Sequence, residues 1–371
     1  MTARRIGILT GGGDCAGLNA VIRAVVHVAH AEHSMQVLGI EDAFHGLVHE
    51  QRRAPHGNRW LGRADVDELL SRGGTVLGTS NRCDPFEYIQ PHLPDQAPQD
   101  VSSAIVARVK ELGLEGLISL GGDGSMRIAA KLHALGLPII GVPKTIDNDI
   151  ASTDQTFGFD TALHVVTDAL DRLRDTAASH DRVMILEVMG RDAGWLALHG
   201  AIAGGADLVL LPELPYDIDA VAREILQRQQ GGRTHAVVVV SEGAYARDGR
   251  AHTSEHLSGA MPRLAGAASA LEQGLRARLS QEMRVTVLGH VQRGGSPSPF
   301  DRVLATRYGR AAAELAARGE YGKMVALRKG EIISVDLADA ASGQKHVGPD
   351  DPLVATARAM GIGMGQPSIS S

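Results

Sequence analysis

The chain has 371 residues, of which 44% are hydrophobic and 22% are charged, and its formal net charge at pH 7 is -6. This length predicts two or three core-forming units rather than one small domain. The acidic balance argues against nucleic acid or an anionic membrane as the partner, because both normally require a basic surface. Any bound anion must therefore be held by a local group of cations.

The two cysteines, Cys15 and Cys83, are too few for a disulfide framework and do not form a CxxC pair. They predict a reducing compartment. At the N-terminus, Arg4 and Arg5 lead into a short apolar run that ends in glycines, which is too short for a signal peptide. Because no apolar run approaches the roughly 20 residues of a membrane helix, we expect a cytoplasmic protein.

Short runs rich in β-branched residues and leucine recur along the chain and predict strands. They are the ranges 6–10, 36–40, 116–120, 138–142, 182–188, 206–211, 235–240 and 284–288. Amphipathic segments lie between them; in 161–173 the spacing of Leu163, Val166, Leu170 and Leu173 places these residues on one helix face. Alternating strands and helices predict an α/β fold with parallel sheets, which binds ligands at the carboxyl ends of its strands.

The first predicted strand ends in Gly11, Gly12 and Gly13, and a helix is expected to begin near Gly17 or Leu18. Small residues at this place let backbone NH groups approach an anion at a helix N-terminus. After Gly11 and Gly13 the next glycine is Gly17, which comes one residue late for the dinucleotide GxGxxG pattern. This spacing disfavours a nicotinamide dehydrogenase. Taken alone, the cluster also fits a tight turn that binds nothing.

A second glycine cluster, at 121–125, follows another predicted strand and places Asp123 among NH donors. This suits a metal-bridged polyphosphate, because Asp123 can hold Mg²⁺ directly or through its waters while Gly124 lets phosphate approach the backbone. Judged by itself, the motif is also explained by a plain turn with Asp123 as a helix cap. The chain has no Walker lysine, since its Gly-Lys pair at 322–323 is followed by Met324.

The segment 143–149 places Asp147 and Asp149 close to Lys144 and Thr145 after the next predicted strand. A phosphoryl acceptor alcohol needs a base within hydrogen-bonding reach, and a lysine can stabilise charge on the transferred group. Asp147 is the predicted base. A solvated Asp-Asn-Asp turn explains this segment equally well by itself.

Cations flank later predicted strands, namely Arg182, Arg191, His290 and Arg293. Guanidinium groups match phosphate oxygens in a two-pronged geometry, so these residues predict a phosphate clamp. A single arginine would more often form a surface ion pair. Glu242, at the end of another strand, suits hydrogen bonds from sugar hydroxyls, although an exposed loop glutamate is the commoner case.

In this order the motifs closely resemble the phosphofructokinase family. The stretches concerned are GGGDCAGLNAVIRAVV, GGDGS, PKTIDNDI, DRLRDTAASHDR, EVMGRDAGW, AIAGGA and TVLGHVQRGGSPSPFDR, and they span residue 4 to about residue 330. So many specific motifs in one order greatly weaken the alternatives given for each motif alone. A lipid or NAD kinase would explain GGDG but not MGR or HVQRGG.

The resemblance implies that ATP, with Mg²⁺, phosphorylates the 1-hydroxyl of fructose 6-phosphate. It implies that Asp123 binds the metal, that Asp147 is the base and that Arg191 stabilises the transferring group, with Lys144 and Thr145 beside them. The implied nucleotide-binding residues are Gly13, Arg82, Cys83, Gly122, Asp123, Gly124 and Ser125. The implied sugar-phosphate residues are Thr145, Ile146, Asp147, Arg182, Met189, Gly190, Arg191, Glu242, Arg284, His290, Val291, Gln292 and Arg293.

The resemblance also implies the assembly and the architecture. In this family Arg182 and Arg284 reach the sugar phosphate of a neighbouring subunit, so we expect a homo-oligomer, usually a tetramer. We expect two Rossmann-like three-layer α/β/α lobes with mostly parallel sheets and an active-site cleft between them. The expected divisions are a nucleotide lobe at 1–158 plus about 293–345, a fructose 6-phosphate lobe at 159–292, and a flexible tail at about 361–371.

Two positions give a mixed indication of the phosphoryl donor. Family members that use pyrophosphate carry Asp where this chain has Gly124, whereas many ATP users carry Gly where this chain has Lys144. A carboxylate at position 124 would repel and block an α-phosphate, while Lys144 is a long cation that can move aside. We therefore predict ATP as the donor and keep pyrophosphate as the alternative.

Bacterial relatives bind effectors in a basic cleft between subunits. Arg23 and Arg174 match that cleft, but His27 and Gly231 replace an arginine and a lysine, and Asp207 replaces a glutamate. With two fewer fixed positive charges, we predict weakened or altered control by phosphoenolpyruvate or ADP. A non-catalytic sugar-phosphate sensor on the same fold is the alternative from another functional class.

Overall fold

The protein is represented by a computed structural model, which describes residues 4–48, 57–90, 96–249, 253–254, 263–264 and 266–367. The strands in this part of the chain are β1 Arg4–Thr10, β2 Met35–Ile40, β3 Arg59–Leu61, β4 Leu117–Gly121, β5 Ile139–Thr145, β6 Phe157–Gly158, β7 Val183–Val188, β8 Leu208–Leu210, β9 Ala236–Ser241, β10 Thr253–Ser254, β11 Arg263–Leu264, β12 Met283–Val287, β13 Lys323–Arg328 and β14 Glu331–Asp336.

Helices connect most of these strands. They are α1 Leu18–His33, α2 His45–Val48, α3 Arg63–Val66, α4 Ser102–Glu111, α5 Asp123–Ala134, α6 Phe159–His180, α7 Trp195–Ala203, α8 Ile218–Gln230, α9 Ala267–Arg276, α10 Pro299–Arg318, α11 Leu337–Ala340 and α12 Pro352–Ala359, with 3-10 turns at Asp67–Leu69 and Gly289–Arg293. Among the described residues, no helix combines the length and the apolar character that crossing a bilayer requires.

The strands form two main sheets. The larger has the order β14-β13-β5-β4-β1-β2-β3, with β6 beside β5. Its pairs are parallel except for β2 with β3 and β13 with β14, which lie at the two edges. The smaller has the order β12-β7-β9-β8 and is parallel throughout. Helices alternating with mostly parallel strands confirm the predicted α/β fold class.

Buried side chains cover both faces of each sheet. In β1, Ile6 and Ile8 belong to one buried cluster, while Leu9 on the opposite face belongs to another. In β7, Leu186 belongs to the same cluster as Ile8, whereas Ile185 packs into a third. Burial on two faces explains why these strands read as continuous apolar runs. The shared cluster packs the two sheets together as neighbouring lobes.

The two sheets use different parts of the chain. The larger contains strands from 4–158 and from 323–336, whereas the smaller contains strands from 183–287. Each sheet with its helices forms one lobe of a two-lobed architecture. The lobe boundaries at residues 158, 292 and 345 stay predictions.

The expectation of a flexible tail from residue 361 is wrong for the part that the structure describes. Gly363 pairs in parallel with Leu208 of β8, and its NH donates to the Asp207 carbonyl at 2.9 Å. Ile362 and Met364 are buried on either side of this contact. The segment therefore satisfies backbone groups at an open sheet edge. Residues 368–371 lie outside the described residues.

Candidate active site

The glycine loop after β1 is held by residues from distant parts of the chain. Lys144 Nζ donates to the Gly13 carbonyl, and Arg293 Nη1 donates to the Asp14 carbonyl at 3.0 Å. A Cβ on Gly13 would lie 2.7 Å from Arg293 Nη1, so a larger residue here would displace the guanidinium from the loop. Gly17, with a φ of 103°, forms the turn into α1. Three of the predicted motifs thus meet at one place.

Asp123 begins α5 directly after the strand that ends at Gly121. Its side chain is buried, with Oδ2 2.5 Å from Arg127 Nη1 and with Oδ1 enclosed and without a hydrogen-bond partner. Burial raises the pKa of this carboxyl, and the Arg127 guanidinium opposes the shift. An enclosed carboxylate oxygen without a partner fits one ligand of a hard cation. Among the described residues, no group of three His, Cys, Asp or Glu side chains is placed to hold a metal ion.

The residues that follow β5, 146–154, form what we call the acidic loop. The NH of Asp147 donates to Thr145 Oγ1 at 3.0 Å, and Asn148, with a φ of 52°, accepts at Oδ1 from the NH of Thr156 at 3.0 Å. Asn tolerates this left-handed conformation better than most residues. These bonds fix the loop so that Asp147 and Asp149 stand side by side at the end of the strand.

Asp147 has the environment of a general base. Its side chain is partly exposed, but Oδ1 is enclosed and has no hydrogen-bond partner. Burial, followed by the nearby charge of Asp149, raises the pKa of Asp147 to about 7, and Arg293 and Lys144 oppose the rise. A carboxylate that titrates near neutral pH can accept a proton from an alcohol and later release it.

Lys144 and Gly124 occupy different sides of this site. Lys144 is 2% exposed, its ammonium bonds the glycine loop at Gly13, and burial lowers its pKa. The nearest atom to a Cβ built on Gly124 is Arg127 Nη2, at 3.9 Å. The space beside Gly124 is therefore open, and the lysine does not fill it.

The loop that follows β7, residues 189–194, carries Arg191 and is called the Arg191 loop below. Gly190 has a φ of 127°, and its carbonyl accepts from Ser241 Oγ at 2.5 Å. A Cβ on Gly190 would lie 2.7 Å from that hydroxyl oxygen. The NH of Glu242 donates to the last residue of β7 at 2.8 Å. Burial and the neighbouring Glu187 raise the pKa of Glu242.

The 3-10 turn after β12, Gly289–Arg293, contacts the site through Gln292 and Arg293. Gln292 is 1% exposed; it accepts from the NH of Met189 at 3.3 Å and donates to the Gly289 carbonyl at 3.0 Å. His290 and Val291 are exposed. Gln292 therefore fixes the backbone between the two strand ends, while Arg293 reaches the glycine loop.

Arg182 and Arg284 lie away from the other predicted sugar-phosphate residues of the same chain. Both pair with Glu282: Arg182 Nε lies 2.6 Å from Oε2, and Arg284 Nη2 contacts Oε1. Arg182 precedes β7 whereas Met189 follows it, and six strand residues separate such ends by roughly 20 Å. A single subunit thus does not bring these arginines to its own site.

The remaining predicted nucleotide residues lie close to the glycine loop. The Ser80 carbonyl accepts from the NH of Gly12 at 3.1 Å, which places Arg82 on the surface beside the glycines. Cys83 is buried in the larger lobe, so its side chain is not available to a ligand. Ser125 packs against Gly11, with its Oγ 3.1 Å from a Cβ built there. Ile146 is buried in the core as well.

The residues matched to the effector cleft are already partnered within the chain. Arg174 donates to two backbone carbonyls at residues 204 and 205, and Arg23 Nε donates to the Asp67 carbonyl at 3.4 Å. His27 Nε2 lies 2.8 Å from Asp67 Oδ1, and burial, together with Arg23, lowers the pKa of His27. Asp207 is buried and pairs with two arginines of its own lobe, at positions 228 and 233. Gly231 ends α8.

A cavity of about 430 Å³ opens beside the Arg191 loop. It is lined by Arg191, Asp192, Pro212, Glu213, Gly243, Tyr245 and His346. A Cβ on Gly243 would overlap the Arg191 carbonyl oxygen, so this wall requires glycine. Sequence reasoning missed His346 and its neighbours, because no motif singles them out. It also missed Arg127, although its place four residues after Asp123 on one helix face was a usable signal.

Comparisons with known proteins show the family of this chain. The family model described as phosphofructokinase matches residues 5–316. The protein named ATP-dependent 6-phosphofructokinase in Chloroflexus aurantiacus is 50% identical over 363 residues, and the match covers 98% of each chain. The protein of that name in Spirochaeta thermophila is 46% identical over 364 residues, again with 98% of each chain covered.

Solved structures share the fold. Pichia pastoris phosphofructokinase in the T-state superposes with a TM-score of 0.77 at 30% identity, covering 97% of this chain and 39% of the Pichia chain. A pyrophosphate-dependent phosphofructokinase from Marinobacter aquaeolei has a TM-score of 0.77 at 23% identity, covering 98% of this chain and 89% of that one, and shows the fold alone. With its strand-end motifs assembled at one site and its family model matched over most of its length, the chain belongs to the phosphofructokinase family.

Proposed function

We propose that the chain is an ATP-dependent 6-phosphofructokinase, which transfers the terminal phosphoryl group of ATP to the 1-hydroxyl of fructose 6-phosphate in glycolysis in the cytoplasm. The observation that carries the proposal is Asp147, whose enclosed Oδ1 has no partner and whose pKa is raised to about 7 by burial and by the charge of Asp149. Relatives that bear this enzyme name and match 98% of the chain support it.

Asp147 is the proposed base. The hydroxyl of the bound sugar would donate to its carboxylate, which accepts the proton as the oxygen attacks the phosphoryl group. Thr145 orients the residue, since its Oγ1 accepts the NH of Asp147. Lys144 and Arg293 supply positive charge at the glycine loop, where the donor's negative charge would lie.

Asp123 is the proposed protein ligand of Mg²⁺. Its enclosed Oδ1 would contact the cation. The Arg127 guanidinium would either stay paired with Oδ2 or leave it when the positive charge of the cation arrives. When bound, Mg²⁺ would neutralise negative charge that develops on the donor phosphates during transfer. Gly122 and Ser125, at the start of α5, would present backbone NH groups to those phosphates.

The sugar phosphate would bind between Met189, Gly190 and Arg191 on one side and Glu242 on the other, with His290 and Arg293 at the lobe boundary. Glu242, whose pKa is raised by burial, is placed to accept from sugar hydroxyls. Arg191 would reach the transferring phosphoryl group.

We infer that the complete site needs a neighbouring subunit, so that the enzyme is a homo-oligomer and, by resemblance, a tetramer. Arg182 and Arg284 sit at the far end of β7 and β12 from the residues of their own site. Their shared partner, Glu282, would release them when a neighbour's sugar phosphate binds.

The open space beside Gly124 supports ATP as the donor, because an α-phosphate needs that room. The buried position of Lys144 supports it too, since the lysine lies on the glycine loop and leaves this space free. Pyrophosphate remains the second candidate, because the same lysine could bind the end of a shorter donor.

Effector control is proposed to be weak or altered. The matched basic residues are engaged within the chain, and Asp207 is neutralised by two arginines. Titrating the activity with phosphoenolpyruvate and with ADP tests this inference. Steep inhibition by micromolar phosphoenolpyruvate would contradict it.

A coupled assay with fructose 6-phosphate and Mg²⁺, run in parallel with ATP and with pyrophosphate as the donor, tests the function. Product with ATP alone is the expected result. Product with pyrophosphate alone would overturn the donor assignment, and no product with either donor would favour a sugar-phosphate sensor.

A further inference from the structure

Four consecutive residues near the C-terminus, Gln344 to Val347, lie between the two halves of the proposed site. We call them the 344–347 strap. They connect α11 to α12 and belong to neither sheet. On one side they contact the acidic loop, which carries the proposed base, and on the other they contact the residues around the Arg191 loop.

The acidic-loop side is held by both side chains and backbone. Gln344 Nε2 donates to Asp149 Oδ2 at 3.0 Å, and the NH of Lys345 donates to the Asp149 carbonyl at 2.7 Å. Lys345 Nζ donates to the carbonyls of Thr153 and Asp154 at 3.3 and 3.0 Å. Because these bonds fix residue 149 at side chain and backbone, they also restrain the proposed base two residues earlier.

Lys345 and the next strap residue, His346, make contacts with the other lobe. The Lys345 carbonyl accepts from Trp195 Nε1 at 2.7 Å, and the Lys345 ammonium lies 5.5 Å from the centre of the Trp195 ring. His346 Nδ1 is 2.9 Å from the Asp192 carbonyl. Trp195 is 7% exposed and opens α7, so the strap is attached to a rigid part of the smaller lobe.

Glu213 joins the strap to the Arg191 loop a second time. Its Oε1 accepts from the NH of Val347 at 2.8 Å and from the NH of Gly194 at 2.9 Å. Gly194 lies three residues after Arg191. One carboxylate oxygen thus holds the strap and the loop at a fixed separation.

We propose that Gln344 and Lys345 are positioning residues of the phosphoryl-transfer site, because the 344–347 strap sets the acidic loop against the Arg191 loop. The inference rests on the proposed function and adds to it two residues, Gln344 and Lys345, that belong to none of the substrate-binding motifs. In the proposed reaction Asp147 accepts the proton of the attacking hydroxyl and Arg191 contacts the transferred group, so an error in their separation would lower the rate of the chemical step more than the affinity for either substrate.

The test compares Gln344→Ala and Gln344→Glu with a matched control, Ser342→Ala, whose hydroxyl bonds the Asp339 carbonyl within the same turn. We expect Gln344→Ala to lower kcat about tenfold while equilibrium binding of ADP and of fructose 6-phosphate changes by less than about threefold. Gln344→Glu should lower kcat further, since a second carboxylate would face Asp149. The control should stay within about twofold of the unaltered enzyme.

Lys345 gives an independent arm. Lys345→Met keeps the apolar stem against Trp195 but removes the donor to Thr153 and Asp154, so we expect a loss of kcat similar to that of Gln344→Ala. Lys345→Arg keeps donors and charge and should recover part of the loss. A kcat for Gln344→Ala within about twofold of the unaltered enzyme, or equal losses in kcat and in both affinities, would overturn the positioning role.

A fluorescence measurement decides the point without turnover. The chain has two tryptophans, so Trp60→Phe leaves Trp195 as the reporter at the strap. Adding Mg²⁺ and ADP should change the Trp195 emission in Trp60→Phe, and this change should fall at least about fivefold when Gln344→Ala is added. No change in the first variant, or an undiminished change in the second, overturns the proposal. If the unaltered enzyme gives no product with ATP, the proposed function is wrong. The Trp195 emission change would still test the positioning role by itself.

Discussion

Two enclosed acidic regions of the chain differ in how their carboxylate oxygens are satisfied. In the candidate active site, Asp123 and Asp147 each keep an enclosed Oδ1 that has no hydrogen-bond partner. In the smaller lobe, Asp207 accepts at Oδ1 from Arg228 and Arg233 and at Oδ2 from a backbone NH. The first pair is incomplete without a ligand, whereas the second region is complete within the chain.

An unpartnered oxygen is not by itself a sign of function, because Asp301 Oδ1 and Glu213 Oε2 are also enclosed without a partner. Asp123 and Asp147 combine such an oxygen with a position just after the carboxyl ends of parallel strands, which favours a binding or chemical role, whereas Asp207 is satisfied within the fold. An enclosed polar oxygen without a partner costs folding free energy, so such oxygens in a protein call for a specific explanation. A proton, a cation or a substrate hydroxyl provides it at Asp123 and Asp147. At Asp207 the arginines provide it, which places that residue in the architecture.

Replacing the base gives the largest expected effect. Asp147→Asn keeps the size of the side chain but cannot accept the proton, so we expect kcat to fall about 10³-fold. Because the pKa of Asp147 is raised to about 7, its ionised form destabilises the folded chain at pH 8, and the variant should unfold at the same or a higher urea concentration. Lower activity together with a lower urea midpoint would contradict a catalytic role.

Adding another carboxylate to the candidate active site should change which phosphoryl donor the enzyme prefers. Gly124→Asp places a negative charge in the open space beside α5, so we expect KM for ATP to rise about 10²-fold through like-charge repulsion. Pyrophosphate should be affected less, because it has no group for that space. Parallel steady-state kinetics with the two donors check this, and an equal loss for both would show that the space does not select the donor.

Breaking the complete region should affect stability instead of catalysis. Asp207→Asn leaves Arg228 and Arg233 without their carboxylate, so we expect the free energy of unfolding to fall by about 2 kcal/mol. The kcat with ATP should change by less than about twofold. Urea unfolding and a steady-state assay on the same preparation measure both quantities. A large loss of kcat at unchanged stability would remove the contrast between the two regions.

The smallest expected effect concerns Arg127, which competes with a cation for Asp123. Arg127→Met should lower the Mg²⁺ concentration for half-maximal activity about threefold, since Asp123 is buried but the Arg127 side chain is 48% exposed and solvent screens its charge. Arg172→Met is the matched control, because Arg172 also pairs with a carboxylate four residues away on an exposed helix face. A higher Mg²⁺ requirement in Arg127→Met would show that the guanidinium helps to hold the donor.

Much of the architecture follows from local sequence. The eight apolar runs predicted as strands all fall on strands of the two main sheets, because burial on both faces leaves a continuous apolar pattern. The edge strands β3 and β14 of the larger sheet, and β13 beside β14, were not predicted. In β14 most residues are exposed, so the pattern that marks a buried strand is lacking.

The site was predictable only in part, for a related reason. Glycine and aspartate motifs at strand ends are contiguous, and parallel strands bring such ends together. The contact of Gln344 with Asp149 joins residues 195 positions apart, and the pairing of Gly363 with Leu208 also joins distant parts of the sequence. Neither leaves a local pattern, which explains both the missed strap and the wrong expectation for residues 361–367.

The pH dependence of kcat/KM for fructose 6-phosphate, at saturating ATP and Mg²⁺, tests the assignment of Asp147 most directly. The base must be ionised, and its pKa is raised to about 7, so kcat/KM should fall about tenfold for each unit of pH below that value. Above it the profile should be level, and in Asp147→Asn this acid limb should disappear from the residual activity. A profile that stays flat from pH 5.5 to pH 8, or an acid limb that survives in Asp147→Asn, would contradict the account.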